Sequence, residues 1–385
     1  MRNTARDIRL PHPNPLSVEE AESRVHLADC TVLLPRLPSS SIDLVFADPP
    51  YNLQLKQDLF RPDFSHVEGV TDAWDRFDDF AAYDSFCRKW LTECRRILKP
   101  SGAIWVIGTY HNIHRIGAMM QDLGFWLLGE IAWVKTNPMP NFRGVRFTNA
   151  HETLLWAKPS QHSSGTTFNY RRMKELNGGV QMRSDWKLPI CTGAERLKRN
   201  GKKVHSTQKP EALLERVILS TTKPGDIVLD PFFGTGTTGA VAKRLGRRWI
   251  GIEKEPLYHE AATERILGIQ TGFDFHEEAD EEPRAQTRVP FAKLVQEGYL
   301  AIGTRLWFKR SPLLQAEVLA DGNLKMGEVV GSIHRVGAVA GGTPSCNGWE
   351  HWYLPRDDAE PMPLDEFRRR WRHAHEEESD IPDRR

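Results

Sequence analysis

Two short apolar runs in this chain end in acidic residues that open unusual loops. Ile42-Asp43-Leu44-Val45-Phe46-Ala47 leads into Asp48-Pro49-Pro50-Tyr51, and Ile227-Val228-Leu229 leads into Asp230-Pro231-Phe232-Phe233-Gly234-Thr235-Gly236. Runs of this length bounded by turn residues read as strands. Between and around them helix-like and strand-like stretches alternate. Phe86, Trp90, Leu91, Cys94, Ile97 and Leu98 carry a helical period over 80–98, ended by Lys99-Pro100-Ser101-Gly102. Strands are expected at 25–30, 103–108, about 126–134, 153–157 and 248–253, with helices at about 31–37, 111–123, 211–221, 237–245 and 258–268. This alternation predicts an α/β fold, a mostly parallel sheet with helices on both faces.

A chain of 385 residues allows roughly two domains. Residues 1–24, with Pro11, Pro13 and Pro15, read as an irregular arm, and 25–273 as the main domain. Within it, 52–77 lacks a sustained period and reads as a long mobile loop, while 137–203 is polar and basic. An acidic linker, 274–286, leads to a small α+β domain over 287–372 and a charged tail over 373–385. In the small domain 316–320 and 349–354 read as strands, and Asp321-Gly322-Asn323 as a hairpin turn.

Hydrophobic residues at 39% and charged residues at 27% describe a globular, soluble chain. No run approaches the roughly 18–20 apolar residues of a membrane span, and the first residues lack the apolar stretch of a signal peptide. A cytoplasmic protein with no membrane partner is therefore expected. Five cysteines, Cys30, Cys87, Cys94, Cys191 and Cys346, form no close pairs and read as reduced thiols. His111, His114 and His151 lack neighbours at ligand spacing, so no metal is expected. Net charge is only +1, yet Arg171, Arg172, Lys174, Arg183, Lys187, Arg196, Lys198, Arg199, Lys202 and Lys203 face just three acids within the same segment. Such a segment can hold phosphates despite the neutral total.

The two loops suggest complementary chemistry. Glycines after Asp230 let backbone amides approach a ligand closely, and Glu253, 23 positions after Asp230, can accept from both hydroxyls of a ribose. Taken alone, the turn is open to three readings: an ordinary strand-to-helix connection, a dinucleotide site, or a site for S-adenosylmethionine (AdoMet). The first loop offers a carboxylate, a prolyl carbonyl and an aromatic face, which together suit a flat base held by its exocyclic amine.

Taken together, the two loops resemble those of the amino-methyltransferases, which move a methyl group from AdoMet to the amino nitrogen of adenine or cytosine. The acidic tetrapeptide precedes the glycine turn, the order of the circularly permuted beta class. The resemblance implies a Rossmann-like AdoMet-dependent fold. It assigns Asp48, Pro49, Pro50 and Tyr51 to catalysis, with Asp48 and the Pro49 carbonyl accepting from the target amine and Tyr51 stacking on a base taken out of the duplex. It assigns Phe232, Gly234 and Gly236 to the methionine end of the cofactor, Glu253 to its ribose, Thr207 and Lys209 to its carboxylate, and Asp29 to its adenine. Cys30, Asp48, Asp230 and Thr237 complete the expected cofactor set.

For DNA, Asn137, Asn141, Arg143 and Arg146 are candidates for base edges, and Arg171, Arg172, Lys187, Arg196, Lys198 and Arg199 for phosphates. Ser332, Asn347 and Trp349 are the candidates in the C-terminal domain, which resembles the domain appended to restriction-type adenine methylases. The whole pattern, including Asp48-Pro49-Pro50-Tyr51-Asn52-Leu53-Gln54-Leu55, is similar to the cell-cycle-regulated DNA adenine methyltransferases of alphaproteobacteria over about residues 22–372. That resemblance implies N6-adenine methylation of double-stranded DNA within 5'-GANTC-3' after replication, by a homodimer working at the nucleoid. A cytosine-N4 methyltransferase and an inactive DNA-binding regulator are the competing readings.

Overall fold

The computed structural model describes residues 14–53, 75–141, 144–269, 289–356 and 359–376. They fall into two compact units, Met1–Asp280 and Glu281–Arg385. The first contains, in chain order, α1 (Val18–Ala21), β1 (Arg24–Leu27), α2 (Cys30–Leu33), β2 (Ile42–Ala47), α3 (Phe80–Ile97), β3 (Leu98–Gly108), α4 (Ile113–Asp122), β4 (Trp126–Lys135) and β5 (His151–Lys158). It continues with α5 (Tyr170–Leu176), β6 (Asp185–Leu188), the hairpin β7 (Lys198–Arg199) and β8 (Lys202–Lys203), α6 (Glu211–Thr221), β9 (Ile227–Asp230), α7 (Thr237–Arg244), β10 (Arg248–Glu253) and α8 (Pro256–Leu267).

Eight of these strands form one sheet in the order β1-β10-β9-β2-β3-β5-β4-β6. Only β5 runs against the others. The strands are apolar because both faces are covered: Ile42, Val45 and Ala47 of β2 join the core cluster containing α3, while Leu44 and Phe46 join the cluster containing α6 and α7. On α3 the buried residues Tyr83, Cys87, Trp90, Leu91, Cys94 and Ile97 keep the helical period, and Asp79 caps its start by accepting from the Ala82 amide at 2.7 Å.

Register decides what the loops can do. Leu27 of β1 lies beside Glu253 of β10, Gly251 beside Asp230 of β9, and Val45 of β2 beside Leu229. These strands are parallel, so the loops after β1, β2, β9 and β10 all leave from one edge. Loops from non-consecutive neighbouring strands meet there, at the β2/β9 seam, where open α/β sheets place ligands.

Several boundaries differ from expectation. Part of the N-terminal arm is regular: Ser17 and Glu20 form a reciprocal capping box that starts α1. The helix expected at 31–37 is α2 followed by a tighter turn at Leu34–Arg36, where Pro35 sits. The sequence 349–354 divides into a short helix and a strand. The segments 54–74 and 274–286, and most of the tail, lie outside the described residues.

The second unit comprises α9 (Phe291–Gln296), β11 (Arg305–Phe308), β12 (Ser311–Val318), β13 (Leu324–Met326), β14 (Val329–Gly331), α10 (Ile333–Gly341), α11 (Gly348–His351), β15 (Trp352–Leu354), β16 (Met362–Pro363) and α12 (Leu364–Glu376). Its strands form an antiparallel sheet, β14-β13-β12-β11-β15-β16, with a separate core around Leu306, Phe308, Val336 and Trp352. Asp321–Asn323 makes the expected turn, with Gly322 at φ +78° and the Asn323 amide donating to Asp321.

Candidate active site

The loop after β2 is held from below and from both sides. Tyr83 of α3 donates its hydroxyl to the Pro50 carbonyl at 2.9 Å. Asp75 accepts from the amides of Asn52 and Leu53 at 2.8 and 3.1 Å, tying the start of the following loop to its end. Asp48, Pro49, Pro50 and Tyr51 of this loop all border one cavity.

Asp48 belongs to a charged group. Its Oδ2 accepts from Lys209 Nζ at 2.6 Å, and its Oδ1 accepts from the Tyr51 hydroxyl at 3.0 Å. Glu152 stands 3.0 Å from the same hydroxyl, 2.8 Å from Lys135 Nζ and 3.9 Å from Lys209 Nζ. Burial pushes the Asp48 carboxyl up, opposed by the Lys209 charge. Burial also acts upward on Glu152, but Lys209 and Lys135 outweigh it and hold that carboxyl below the usual range. Lys209 is held as an ammonium because Asp48 and Glu152 outweigh the cost of its burial. Lys209, expected at the cofactor carboxylate, is thus bound directly to the proposed catalytic acid. Glu152 and Lys135 went unread in the sequence: each looks like a strand residue, and Tyr51 lies 101 positions from Glu152.

Beside this group a cavity of about 310 Å³ is lined by residues from all four loops, among them Asp29, Asp48, Phe232, Gly234 and Glu253, and by Thr207 from the segment before α6. Asp48 and Gly234 border the same empty space. Cys30, Asp230, Thr237 and Lys209 line it too. Glu253 accepts from the amides of Gly234 at 2.6 Å and Glu255 at 2.7 Å. These two backbone bonds fix its orientation and leave lone pairs for a ligand's hydroxyls. Asp230 accepts from the Phe232 amide at 2.9 Å and the Thr238 hydroxyl at 2.6 Å, and burial raises its carboxyl to about 7. It shapes the glycine turn. Asp29 caps α2 through Thr31 and lies 3.5 Å from Lys254.

Gly236 has a different part from the one expected. It does not line the cavity, and at φ +76° a Cβ there would come within 3.0 Å of Ala262 on α8. It is a turn and packing glycine. Phe233, next to Gly234, is wedged beneath the loop between Gly239 and Gly251 and stacks on Trp249 with centroids 5.6 Å apart. Among the described residues no group of His, Cys, Asp and Glu could hold a metal, and no helix is long and apolar enough to cross a membrane.

The residues expected at DNA divide. Arg146, Arg171, Lys187, Lys198 and Asn347 are exposed; Arg143 lies outside the described residues. Others are engaged within the protein. Arg196 donates to the carbonyls of Cys191, His205 and Ser206, clasping the loop that leads to Lys209. Arg199 is paired with Glu260 and Glu264 of α8, and Arg172 with Glu175. Asn137 accepts from the Ile190 amide at 2.8 Å, and Asn141 is partly buried. In the second unit Ser332 caps α10, and Trp349, only 7% exposed, packs edge-on against Phe291. Trp349 is a core residue because its ring completes the cluster around α9 and α12.

A strand-end carboxylate bordering a glycine-turn cavity on one sheet edge is the arrangement by which α/β enzymes hold a nucleotide-like ligand. Comparison with known proteins identifies the class. Residues 42–264 match the family described as DNA methylase, and residues 276–377 match Restriction Enzyme Adenine Methylase Associated. The chain belongs to the DNA methylase family. Type II methyltransferase M.HinfI of Haemophilus influenzae is 50% identical over 331 residues, 86% of this chain and 91% of that protein. Type II methyltransferase M2.DpnII of Streptococcus pneumoniae is 43% identical over 239 residues, 62% and 87% of the two chains. The structure of PvuII DNA methyltransferase (cytosine-N4-specific) matches at a TM-score of 0.50 with 24% identity, covering 64% of this chain and 87% of that one, and it shows the shared fold.

This chain is therefore a DNA methyltransferase, with AdoMet as its cofactor. The cavity fits that molecule. Gly234 leaves room at the turn, Glu253 presents an anchored carboxylate suited to a ribose, and Asp29 stands at the neighbouring strand end.

Proposed function

We propose that the protein methylates the N6 amine of adenine in double-stranded DNA, within 5'-GANTC-3'. The observation that carries this reading is the adjacency of Asp48-Pro49-Pro50-Tyr51 and the glycine turn over one cavity at the β2/β9 seam. Bound AdoMet supplies an activated methyl group. The chain supplies geometry: Asp48 and the Pro49 carbonyl accept the two N6 hydrogens, drawing the nitrogen lone pair out of the ring plane, and Tyr51 faces the extruded base. Asp at the first position of the tetrapeptide favours adenine over cytosine, and the resemblance over residues 22–372 supports the sequence, a homodimeric enzyme, and action at the nucleoid after replication.

The test is labelled methyl transfer from AdoMet to duplexes containing GANTC, followed by nucleoside analysis. N6-methyladenine confined to that site is expected. N4-methylcytosine would establish the cytosine reading, and binding without transfer the regulator reading.

A further inference from the structure

Glu152 belongs to neither loop, yet it shares both partners of Asp48. It is the second residue of β5, opposite Trp133 of β4, and Lys135 ends β4. Its carboxylate is anchored on one side, where Lys135 Nζ sits 2.8 Å from Oε1. Its other oxygen, Oε2, faces the Tyr51 hydroxyl at 3.0 Å.

The proton count at Tyr51 is informative. A phenol carries one hydrogen, so it can donate to only one carboxylate at a time. Tyr51 stands 3.0 Å from Asp48 Oδ1 and 3.0 Å from Glu152 Oε2. Asp48 Oδ2 already accepts from Lys209. An incoming amine that donates to Oδ1 shares that oxygen with Tyr51, which loosens the hold of Asp48 on the hydroxyl. Glu152 Oε2 is a second acceptor within reach, so the hydroxyl is not stranded in a buried site.

We propose that Glu152 is a positioning residue for methyl transfer: it receives the Tyr51 hydroxyl when the target amine donates to Asp48 Oδ1, and it shares Lys209 with Asp48. This inference rests on the transfer function proposed above. The Tyr51 ring is then held in one place through the exchange, swapping one carboxylate for another without moving its plane. The opposite directions on the two carboxyls agree with this division: Lys209 and Lys135 hold Glu152 below its usual range, while burial pushes Asp48 up.

The test is Glu152→Gln, which keeps the shape and one acceptor oxygen but removes the charge. Its kcat should fall roughly 30-fold or more, the scale of losing a partner that orients a functional side chain, with KM for AdoMet and DNA nearly unchanged. The alkaline limb of kcat should move to lower pH, because Lys209 loses one of the carboxylates that favour its charged form, leaving Asp48 and Asp230. The groups facing Lys209 are Asp48 and Tyr51 after β2, Asp230 at the end of β9, Glu152 on β5 with Lys135 behind it, and His205 on its own segment. In a Tyr51→Phe background the Glu152→Gln penalty should shrink, since the hydroxyl to be received is gone.

A kcat close to that of the wild type, an unmoved alkaline limb, or full penalties that multiply with Tyr51→Phe would each overturn the proposal. If Glu152→Gln fails to bind AdoMet or to fold, Lys135→Gln, which frees the Glu152 carboxylate, carries the same expectation on kcat, and unchanged turnover there overturns it. Wild-type enzyme in the same assay separates the two readings. No transfer by wild type would remove the proposed function, whereas equal transfer by wild type and variant removes only the role of Glu152.

Discussion

Substituting Gly251 by alanine probes how the cofactor loop is supported. Gly251 lies in β10 with ordinary strand backbone, so the change tests space alone. An added Cβ would stand 2.6 Å from Cγ, Cδ1 and Cε1 of Phe233. That is about 1 Å inside normal carbon contact. The ring has no easy retreat: the corresponding position on Gly239 lies 2.4 Å from its Cζ, and Trp249 stacks against it with an interplanar angle of 8°. Overpacking of this kind costs about 1–3 kcal/mol. Phe233 is covalently next to Gly234, whose amide is bound to Glu253, so the strain is divided between the fold and the loop. A value of about 2 kcal/mol corresponds to roughly 30-fold weaker AdoMet binding if borne by the loop. The same value lowers Tm by roughly 4–8 °C if borne by the fold. Calorimetric titration with AdoMet and a thermal melt read both. Phe233→Leu added to Gly251→Ala should recover part of the loss. Wild-type affinity and Tm in the single variant, or a double variant no better than the single, would refute the packing argument.

Asp48→Asn should lower transfer about 10²–10³-fold while AdoMet binding, measured by calorimetry, keeps the same order; near-normal turnover would remove Asp48 from the mechanism. Asp230 has a carboxyl raised to about 7 by burial, above its unfolded value of 3.8. The native state therefore binds the extra proton between these values, and this group's stabilising contribution, full below pH 3.8, is lost as pH rises through 7. Wild-type Tm should decline over that window relative to Asp230→Asn, and parallel profiles would refute the assignment. Trp349→Ala should destabilise the C-terminal unit by about 3–5 kcal/mol, seen as an earlier melting transition in the full chain. An unchanged melt would return Trp349 to the list of candidates for DNA contact.

The meeting of Asp48 and Gly234 was legible because parallel strands in a doubly covered sheet deliver their C-terminal ends to one edge, whatever their separation along the chain. Asp29 and Glu253 follow from the same rule. Glu152 was not legible, because its partners come from remote segments and the surrounding Thr153–Ala157 run announces only a buried strand. The basic segment misled in part for a similar reason. Arg196 and Arg199 look free in one dimension, but carbonyls on both sides of Arg196 in the chain, at Cys191, His205 and Ser206, and two acids of α8 fold back onto them. Trp349 sits among polar residues in sequence, and only packing of α9 and α12 reveals its enclosure.

The strand order also constrains how the molecule can be born. β9 and β10 occupy the places between β1 and β2, although the ribosome makes them about two hundred residues later. The two earliest strands emerge with no native partner for each other and must wait, their facing edges bare, for the late parallel unit β9-α7-β10 to slot between them. Such distant pairing slows folding and leaves nascent chains prone to association. A chain ending before residue 227 carries the tetrapeptide loop but lacks β9, the glycine turn and Glu253, which form the other side of the cavity.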